Sequence, residues 1–482
     1  MAKSIILPKF VLHETCEKED SHSDAVSLRW VDIGQGKDRY YRSPVDQSSQ
    51  GGSSGNDYSY NYFPIVLSGT GQPWREAAVY LLKRMENTSK ANITSYHTIA
   101  SDLANFKSFT EQEQIDPFIF PDRKLLRPTY RYRAKLIQDS QAGLLSIDTA
   151  KRRISTVISF YKWVGSDLNI KFENPPWQDK KLMLTIQDRY GASKIKNVDS
   201  TDLSIRGSKL DSVFDESIND SGKLRPLTHK EQLGLLTALD RLGAIEFTLI
   251  HLIALFTGAR IQTILTLRVG TIQALSSEGN NFAIIKCGAG TMIDTKFNKS
   301  LNLYFPSWLI DRLQIYSNSE RAYSRRDKSQ ITNGNAYLFL TNRGQPYYTS
   351  KSDISIFNAE NRSRRPHNGE GVRQFISNNV ISLTREILGN PSFKYKFHDL
   401  RASFGMNITE IKLNDVQEKK CSLSEARDFV RKLMSHSSYA TTENYLNHKQ
   451  KLESARIVQI NYEGHISDLT RIAKGMGISD EK

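Results

Sequence analysis

Apolar residues recur at helix spacing from Gln72 to Trp163, and this recurrence limits the fold more than any other feature of the chain. Trp74, Ala77, Ala78, Leu81 and Leu82 share one helical face. The run from Thr94 to Ile99 leads into Leu103, Phe106 and Phe109, and Tyr130 to Leu136 follows. A further helix over Leu145–Trp163 carries an apolar face at Ile154, Val157, Ile158 and Tyr161. Its start is basic, at Lys151, Arg152 and Arg153, which are expected to meet phosphate or a solvated face. Trp74, Phe106 and Trp163 are expected in helix core. Asn174-Pro175-Pro176-Trp177 ends the block, because proline removes a donor and fixes its backbone angle. Residues 181–226 are polar and charged with little periodicity and read as a linker. Leu227-Thr228-His229-Lys230-Glu231-Gln232 then reads as a capped helix start.

Residues 1–70 form a separate N-terminal segment. Ala25 to Val31 reads as a strand, and Ser48 to Gly55 as a flexible loop. The chain therefore divides into an extension (1–70), a helical domain (71–180), a linker (181–226) and a C-terminal domain (227–482). The expected class is mainly α with a small β-sheet.

Composition narrows the partners. The 66 lysines and arginines exceed the 52 acids, for a formal charge of +14, which suits a polyanion such as nucleic acid. No run of 18 apolar residues occurs, so a membrane span is not expected. Met1 to Pro8 has too short an apolar core for a signal peptide. Cys16, Cys287 and Cys421 show neither a disulfide framework nor a zinc spacing, which points to a reducing cytoplasm. No Walker loop and no acidic cluster with metal spacing is present, so no metal and no cofactor is expected.

The residues able to carry chemistry gather between His398 and Tyr445. His398-Asp399-Leu400-Arg401 sets a His and an Arg on one helical face. Leu433-Met434-Ser435-His436-Ser437-Ser438 follows, and Tyr445 stands nine residues after His436. Arginine can hold two phosphate oxygens at once, imidazole can move protons, and a tyrosine hydroxyl can attack phosphorus. Upstream, the apolar run Leu249 to Phe256 is interrupted only by His251, read as a core or helix-edge imidazole, and leads into Thr257-Gly258-Ala259-Arg260. Gly258 ends a helix there, and Ile261, Ile264, Leu265 and Leu267 give the next apolar face.

TGxR, HxxR, LxxHSS and a Tyr nine residues on, in that order, resemble the tyrosine recombinase (phage integrase) family. The resemblance implies a helical core-binding domain over 71–180 and a catalytic α+β domain from 227 to the C-terminus. It also marks two departures. Thr263 stands where the family has an acid three after its first arginine, and Thr271 where it often has an Asp. A replacement acid elsewhere is therefore expected.

Phe282 to Lys286 reads as one strand and Thr295 to Pro306 as the second of a hairpin. The family carries a catalytic Lys on this hairpin, followed by a basic residue three positions on. Lys296 with Lys299 fits, and Lys286 and Lys299 are the competitors. Arg321 to Arg326 and Arg362 to Arg365 are either phosphate contacts or solvated loops, and Leu413 to Arg427 is a small insertion.

By this resemblance, Arg260 and Arg401 hold the oxygens of the scissile phosphate and His436 donates to it. His398 serves as acid/base near Tyr445, which attacks to give a 3′-phosphotyrosine link. Lys296 protonates the departing 5′ oxygen, while Lys151, Arg152, Arg153 and Lys299 contact the DNA backbone. The implied activity is site-specific recombination of double-stranded DNA for a mobile element, inside a bacterial cell at the nucleoid. The active form is four protomers on paired sites, monomeric or dimeric when free, with an accessory DNA-bending or directionality protein. A C-terminal helix, from the amphipathic stretch Ile457 to Ile472, docks on the neighbouring protomer or packs in cis. Residues 1–70 are either an arm that binds further DNA sites or a structural addition. Two alternatives share the motifs: a type IB topoisomerase that relaxes supercoils, and a catalytically weak DNA-binding regulator.

Overall fold

A computed structural model describes residues 1–11, 14–17, 28–31, 39–42, 59–86, 93–187, 193–205, 217–220, 222–275, 282–329, 335–354 and 366–475. The chain is mainly helical with small antiparallel sheets, and it divides into two compact units.

The first unit comprises Met1–Leu210 with Ile354–Pro366. Its elements are β1 (Lys3–Val11), β2 (Glu14–Glu17), β3 (Leu28–Val31), β4 (Arg39–Arg42), β5 (Ser59–Leu67), α1 (Arg75–Glu86), α2 (Ile93–Gln112), α3 (Pro128–Gln141), α4 (Ile147–Asp167), β6 (Asp179–Gln187) and β7 (Ser193–Thr201). The helical spacing read from the sequence becomes α1 to α4. Helix α4 starts where Ser146 Oγ accepts the Thr149 N–H, and it buries Ile154, Val157, Phe160, Tyr161 and Val164. Trp74 meets Phe160 edge-on at 5.1 Å, and Phe106 meets Tyr132 at 5.0 Å.

Two boundaries move. Tyr60, Tyr62, Phe63 and Val66 of β5 sit in the same apolar core as α1 to α4, so the end of the extension belongs with the helices. Residues 181–201 are not a featureless linker, because β6 and β7 pair antiparallel, with Leu182 opposite Val198. Leu182, Met183, Leu184 and Ile186 are the apolar residues of this short strand, a signal that the high charge of the stretch masked. Of the N-terminal strand, Leu28–Val31 is formed. The Ser48 to Gly55 loop and the Arg362 to Arg365 cluster lie outside the described residues.

The second unit comprises Asp211–Asp353 with His367–Lys482. It holds β8 (Ile218–Asn219), β9 (Lys223–Leu224), α5 (His229–Arg241), α6 (Ile245–Thr257), α7 (Ile261–Leu265), α8 (Val269–Gln273), β10 (Phe282–Cys287), β11 (Leu301–Pro306), α9 (Ser307–Ser317), α10 (Glu320–Asp327), α11 (Glu370–Phe375), α12 (Ile381–Leu388), α13 (Asp399–Gln417), α14 (Leu423–Leu433) and α15 (Tyr439–Gly475). Thr228 caps α5 in a reciprocal box with Glu231, as the sequence predicts. Gly258 ends α6 at φ 64°, and a Cβ there would lie 2.5 Å from Phe404. His251 is a satisfied core imidazole, with Nδ1 2.6 Å from the Phe247 carbonyl and Nε2 2.8 Å from the Tyr395 hydroxyl.

The hairpin differs from its reading. Strands β10 and β11 pair with Ile285 opposite Leu303, but β11 begins at Leu301 rather than Thr295. Lys296–Asn298 is a tight turn instead, because Phe297 and Asn298 take positive φ (60° and 54°) and leave the ladder. The Arg321 to Arg326 cluster is helical in α10. Exposed Arg321 and buried Arg325 both pair with the buried Glu246, at 2.6 Å and 2.9 Å, so both cations have a structural partner.

Candidate active site

Helix α13 begins at Asp399, with His398 as its flanking residue, so the two chemical groups of the HDLR stretch face the start of one helix. The Asp399 carboxylate accepts the backbone N–H groups of Lys396 (2.8 Å) and Arg225 (3.1 Å), which fixes that start. Arg401 is buried. Its Nη1 donates to the Gly258 carbonyl at 2.7 Å and its Nη2 to the Met434 carbonyl at 2.6 Å. One guanidinium thus ties the TGAR turn to the turn before His436, and brings three separate motifs together.

Arg260 flanks the start of α7. Its Nη2 lies 3.7 Å from Asp220 Oδ1, and its Nε is buried without a hydrogen-bond partner. Burial and the nearby Arg401 charge lower its pKa to about 10, so it remains cationic at neutral pH.

His436 follows Ser435, which turns the chain at φ 52°. Its Nδ1 lies 3.0 Å from Thr442 Oγ1, and its ring stacks on Tyr445 with centroids 5.5 Å apart. Tyr445 sits in the second turn of α15, packed against Phe404, Val430 and Met434. Its ring reaches the site only because residue 405 is glycine; a Cβ there would come within 2.5 Å of Tyr445 Cε1. Burial, then the charge of Asp220, raises the Tyr445 hydroxyl well above the usual tyrosine range.

Asp220 is the residue that sequence reasoning missed. It lies in the turn between β8 and β9 and is only 2% exposed. A single carboxylate oxygen, Oδ2, accepts from Arg401 Nε at 2.9 Å, His436 Nε2 at 3.3 Å and Tyr445 Oη at 3.1 Å. Burial opposes its ionisation, but the His436 hydrogen bond and the Arg401 charge outweigh burial and hold the carboxyl far below the usual range. Thr263, where the resemblance leads one to expect an acid, is itself buried. No local signal marks it, since it stands in the polar stretch read as linker.

His398 is half-buried. Burial lowers its pKa to about 4, and the charges of Arg401 and Arg260 push the same way, so it is neutral at neutral pH. Lys296 also bears on His398, and it lines one cleft with Arg260, Lys299 and Arg401. Lys299 Nζ donates to the Ser435 carbonyl at 2.9 Å, which ties the hairpin to the turn before His436. Lys286 is exposed on β10 opposite Asn302 and is not among the residues lining the cleft. The six residues to which the resemblance gives catalytic roles thus fall in one neighbourhood of the second unit.

The basic start of α4 is different. Arg152 pairs with the buried Asp102 at 3.1 Å, and Arg153 lies 3.9 Å from the same carboxylate. Both therefore have a structural partner, while Lys151 is half-buried.

Among the described residues no group of three or more His, Cys, Asp or Glu is placed to hold a metal ion, and no helix is long and apolar enough to cross a membrane. Comparison with family models, curated proteins and solved structures finds no match.

Proposed function

We propose that the chain is a site-specific DNA recombinase of the tyrosine recombinase type. It would cleave and rejoin double-stranded DNA through a 3′-phosphotyrosine intermediate. One observation carries this reading. Two arginines, an imidazole and a tyrosine from separate motifs converge on a single anionic group, the carboxylate of Asp220. A cluster of donors around one anion, beside a hydroxyl nucleophile, is what a phosphodiester transition state needs.

In the proposed reaction the Tyr445 oxygen forms a bond to phosphorus as the bond from phosphorus to the 5′ oxygen breaks. Neutral His398 accepts the tyrosine proton, and Lys296 gives one to the departing 5′ oxygen. Arg260, Arg401 and His436 stabilise the charge that develops on the non-bridging oxygens. The covalent link keeps the phosphodiester energy, so rejoining by a 5′ hydroxyl needs no nucleotide. Arg401 meets the anion through Nε while Nη1 and Nη2 bond to Gly258 and Met434, so Arg401 would orient the centre as well as hold charge.

The proposed partner is DNA carrying two recombination sites, held by four protomers, with an accessory DNA-bending or directionality protein. The expected compartment is the bacterial cytoplasm, at the nucleoid. A nicked suicide duplex, which loses its 5′ end on cleavage, tests the reading. Wild type should give a covalent protein–DNA band on a denaturing gel, and Tyr445→Phe should not. The band persisting in Tyr445→Phe would contradict it.

A further inference from the structure

We infer that Asp220 is a built-in stand-in for the scissile phosphate: without DNA its carboxylate fills the anion position of the catalytic centre, and DNA must displace it. The inference rests on the reading of the Tyr445 site as a phosphoryl-transfer centre.

The geometry separates this role from ordinary support. An acid that only steadies the arginines would sit behind them and leave the nucleophile clear. Asp220 instead presents one oxygen to Arg401 Nε, His436 Nε2 and the Tyr445 hydroxyl together, at 2.9, 3.3 and 3.1 Å. Its other oxygen faces Arg260 at 3.7 Å. These are the groups proposed to bind the phosphate and attack it. A carboxylate and a phosphodiester each carry one negative charge, and the same donors cannot serve both. Two anions in contact beside a neutral imidazole would also repel strongly in a site screened from water.

A carboxylate at this place does not help Tyr445 to react. It is held so firmly ionised that it is a weak base, and its charge makes the tyrosine hydroxyl harder to ionise. The fit to Arg260 is also incomplete. The 3.7 Å separation is longer than a hydrogen bond, and Arg260 Nε stays buried without a partner. A tetrahedral anion with more oxygens would use what the flat carboxylate leaves unmet.

The carrier is built to yield. Strands β8 and β9 have two residues each, and the turn between them includes Gly222 at φ 148°, a conformation that glycine adopts readily. Ile218, seated with Phe404, Met434 and Tyr445, and the bond from Asn444 Nδ2 to the Asn219 carbonyl at 2.9 Å hold the arm against α15. Only the tip has to move for Asp220 to leave, and the same arm returns it when DNA departs.

Two readouts on the full chain test this. The first is titration with inorganic phosphate, followed by calorimetry and by the His436 ring resonances. If the carboxylate fills the site about 99% of the time, it lowers apparent anion affinity about 100-fold. Asp220→Ala should therefore bind phosphate at least about tenfold more tightly than wild type. Asp220→Asn, which keeps the side-chain shape, should show a gain in the same direction and serves if the alanine variant does not fold. Adding Arg260→Gln should abolish the gain. Equal phosphate affinity in wild type and both Asp220 variants overturns the inference, whatever the DNA assay gives.

The second readout is the initial rate of covalent adduct at limiting suicide duplex. It should rise in Asp220→Ala through a lower KM. A fall in kcat with KM unchanged would make Asp220 a permanent positioning acid and also overturn the inference. No adduct from wild type, with tighter phosphate binding in the variants, would remove the recombinase reading and leave Asp220 as the occupant of an anion site.

Discussion

At the residue scale, Lys296 and Gly405 test the proposed centre apart from Tyr445. Lys296 lines the cleft with both arginines, and Lys286 does not. The leaving 5′ oxygen is a strong base, so loss of its proton donor should slow cleavage by ~10²–10⁴-fold. A sulfur in the bridging 5′ position leaves without a proton. Lys296→Ala should therefore fail on ordinary duplex and recover on the 5′-thio duplex, whereas Arg260→Ala should recover far less. Rescue of Lys286→Ala instead would move the acid to β10. Gly405 is the second position. A methyl group there meets Tyr445 Cε1 at 2.5 Å and Met434 Cε at 2.9 Å. Gly405→Ala should push the ring off the Asp220 position, cost roughly 1–3 kcal/mol of stability and abolish adduct formation. Gly464→Ala on α15, where an added Cβ meets nothing within 4 Å, should do neither. Thermal unfolding and the suicide duplex read both effects.

At the element scale, helices were far more legible in the sequence than the segments joining them. The TGAR, HDLR and LMSHSS stretches each keep their chemistry within one or two turns of a helix end, so short spacing carried the geometry. Arg260, His398, Arg401, His436 and Tyr445 could be named because those stretches, taken in order, resemble a known family; spacing alone did not single them out. Lys296 was nameable, but its strand was not, because the positive φ of Phe297 and Asn298 is a backbone choice without a periodic signature. Asp220 was invisible because a hairpin only two residues deep delivers it across long sequence separation. Charge likewise hid the β6–β7 pairing.

Helix α6 makes a prediction at this same scale. Its His251 is fully buried, and burial lowers its pKa from 6.5 to about 4. The unfolded chain binds this proton first as pH falls. The stabilisation is therefore complete above about pH 6.5 and is lost as pH drops towards 4, by about 3 kcal/mol in all. Hydrogen exchange of α6 amides should quicken over that window. His251→Leu, which cannot titrate, should flatten the change, and an unchanged pH profile in that variant would contradict the assignment.

At the scale of the whole molecule, charge and chemistry point to the same partner. If DNA is the partner, as proposed, the excess of 66 basic over 52 acidic residues would give it a sequence-independent hold. Not every basic cluster contributes. Arg321 and Arg325 are spent on Glu246, and Arg152 on Asp102. The salt dependence of duplex binding counts the phosphates that remain engaged, with log Kd rising by about 0.9 per contact for each tenfold rise in salt. A steep slope is expected. Lys151→Ala should lower it by about one contact, while Arg321→Ala should leave it unchanged and loosen the fold instead. A slope near zero would remove DNA as the partner.

If Tyr445 becomes covalently joined to DNA as proposed, a peptide map of the trapped adduct will show it. After nuclease digestion, the account predicts a nucleotide joined through its 3′ phosphate to the peptide containing Tyr445, and to no other residue. A nucleotide on a different side chain, or a cleaved duplex with no nucleotide on the protein, would contradict it.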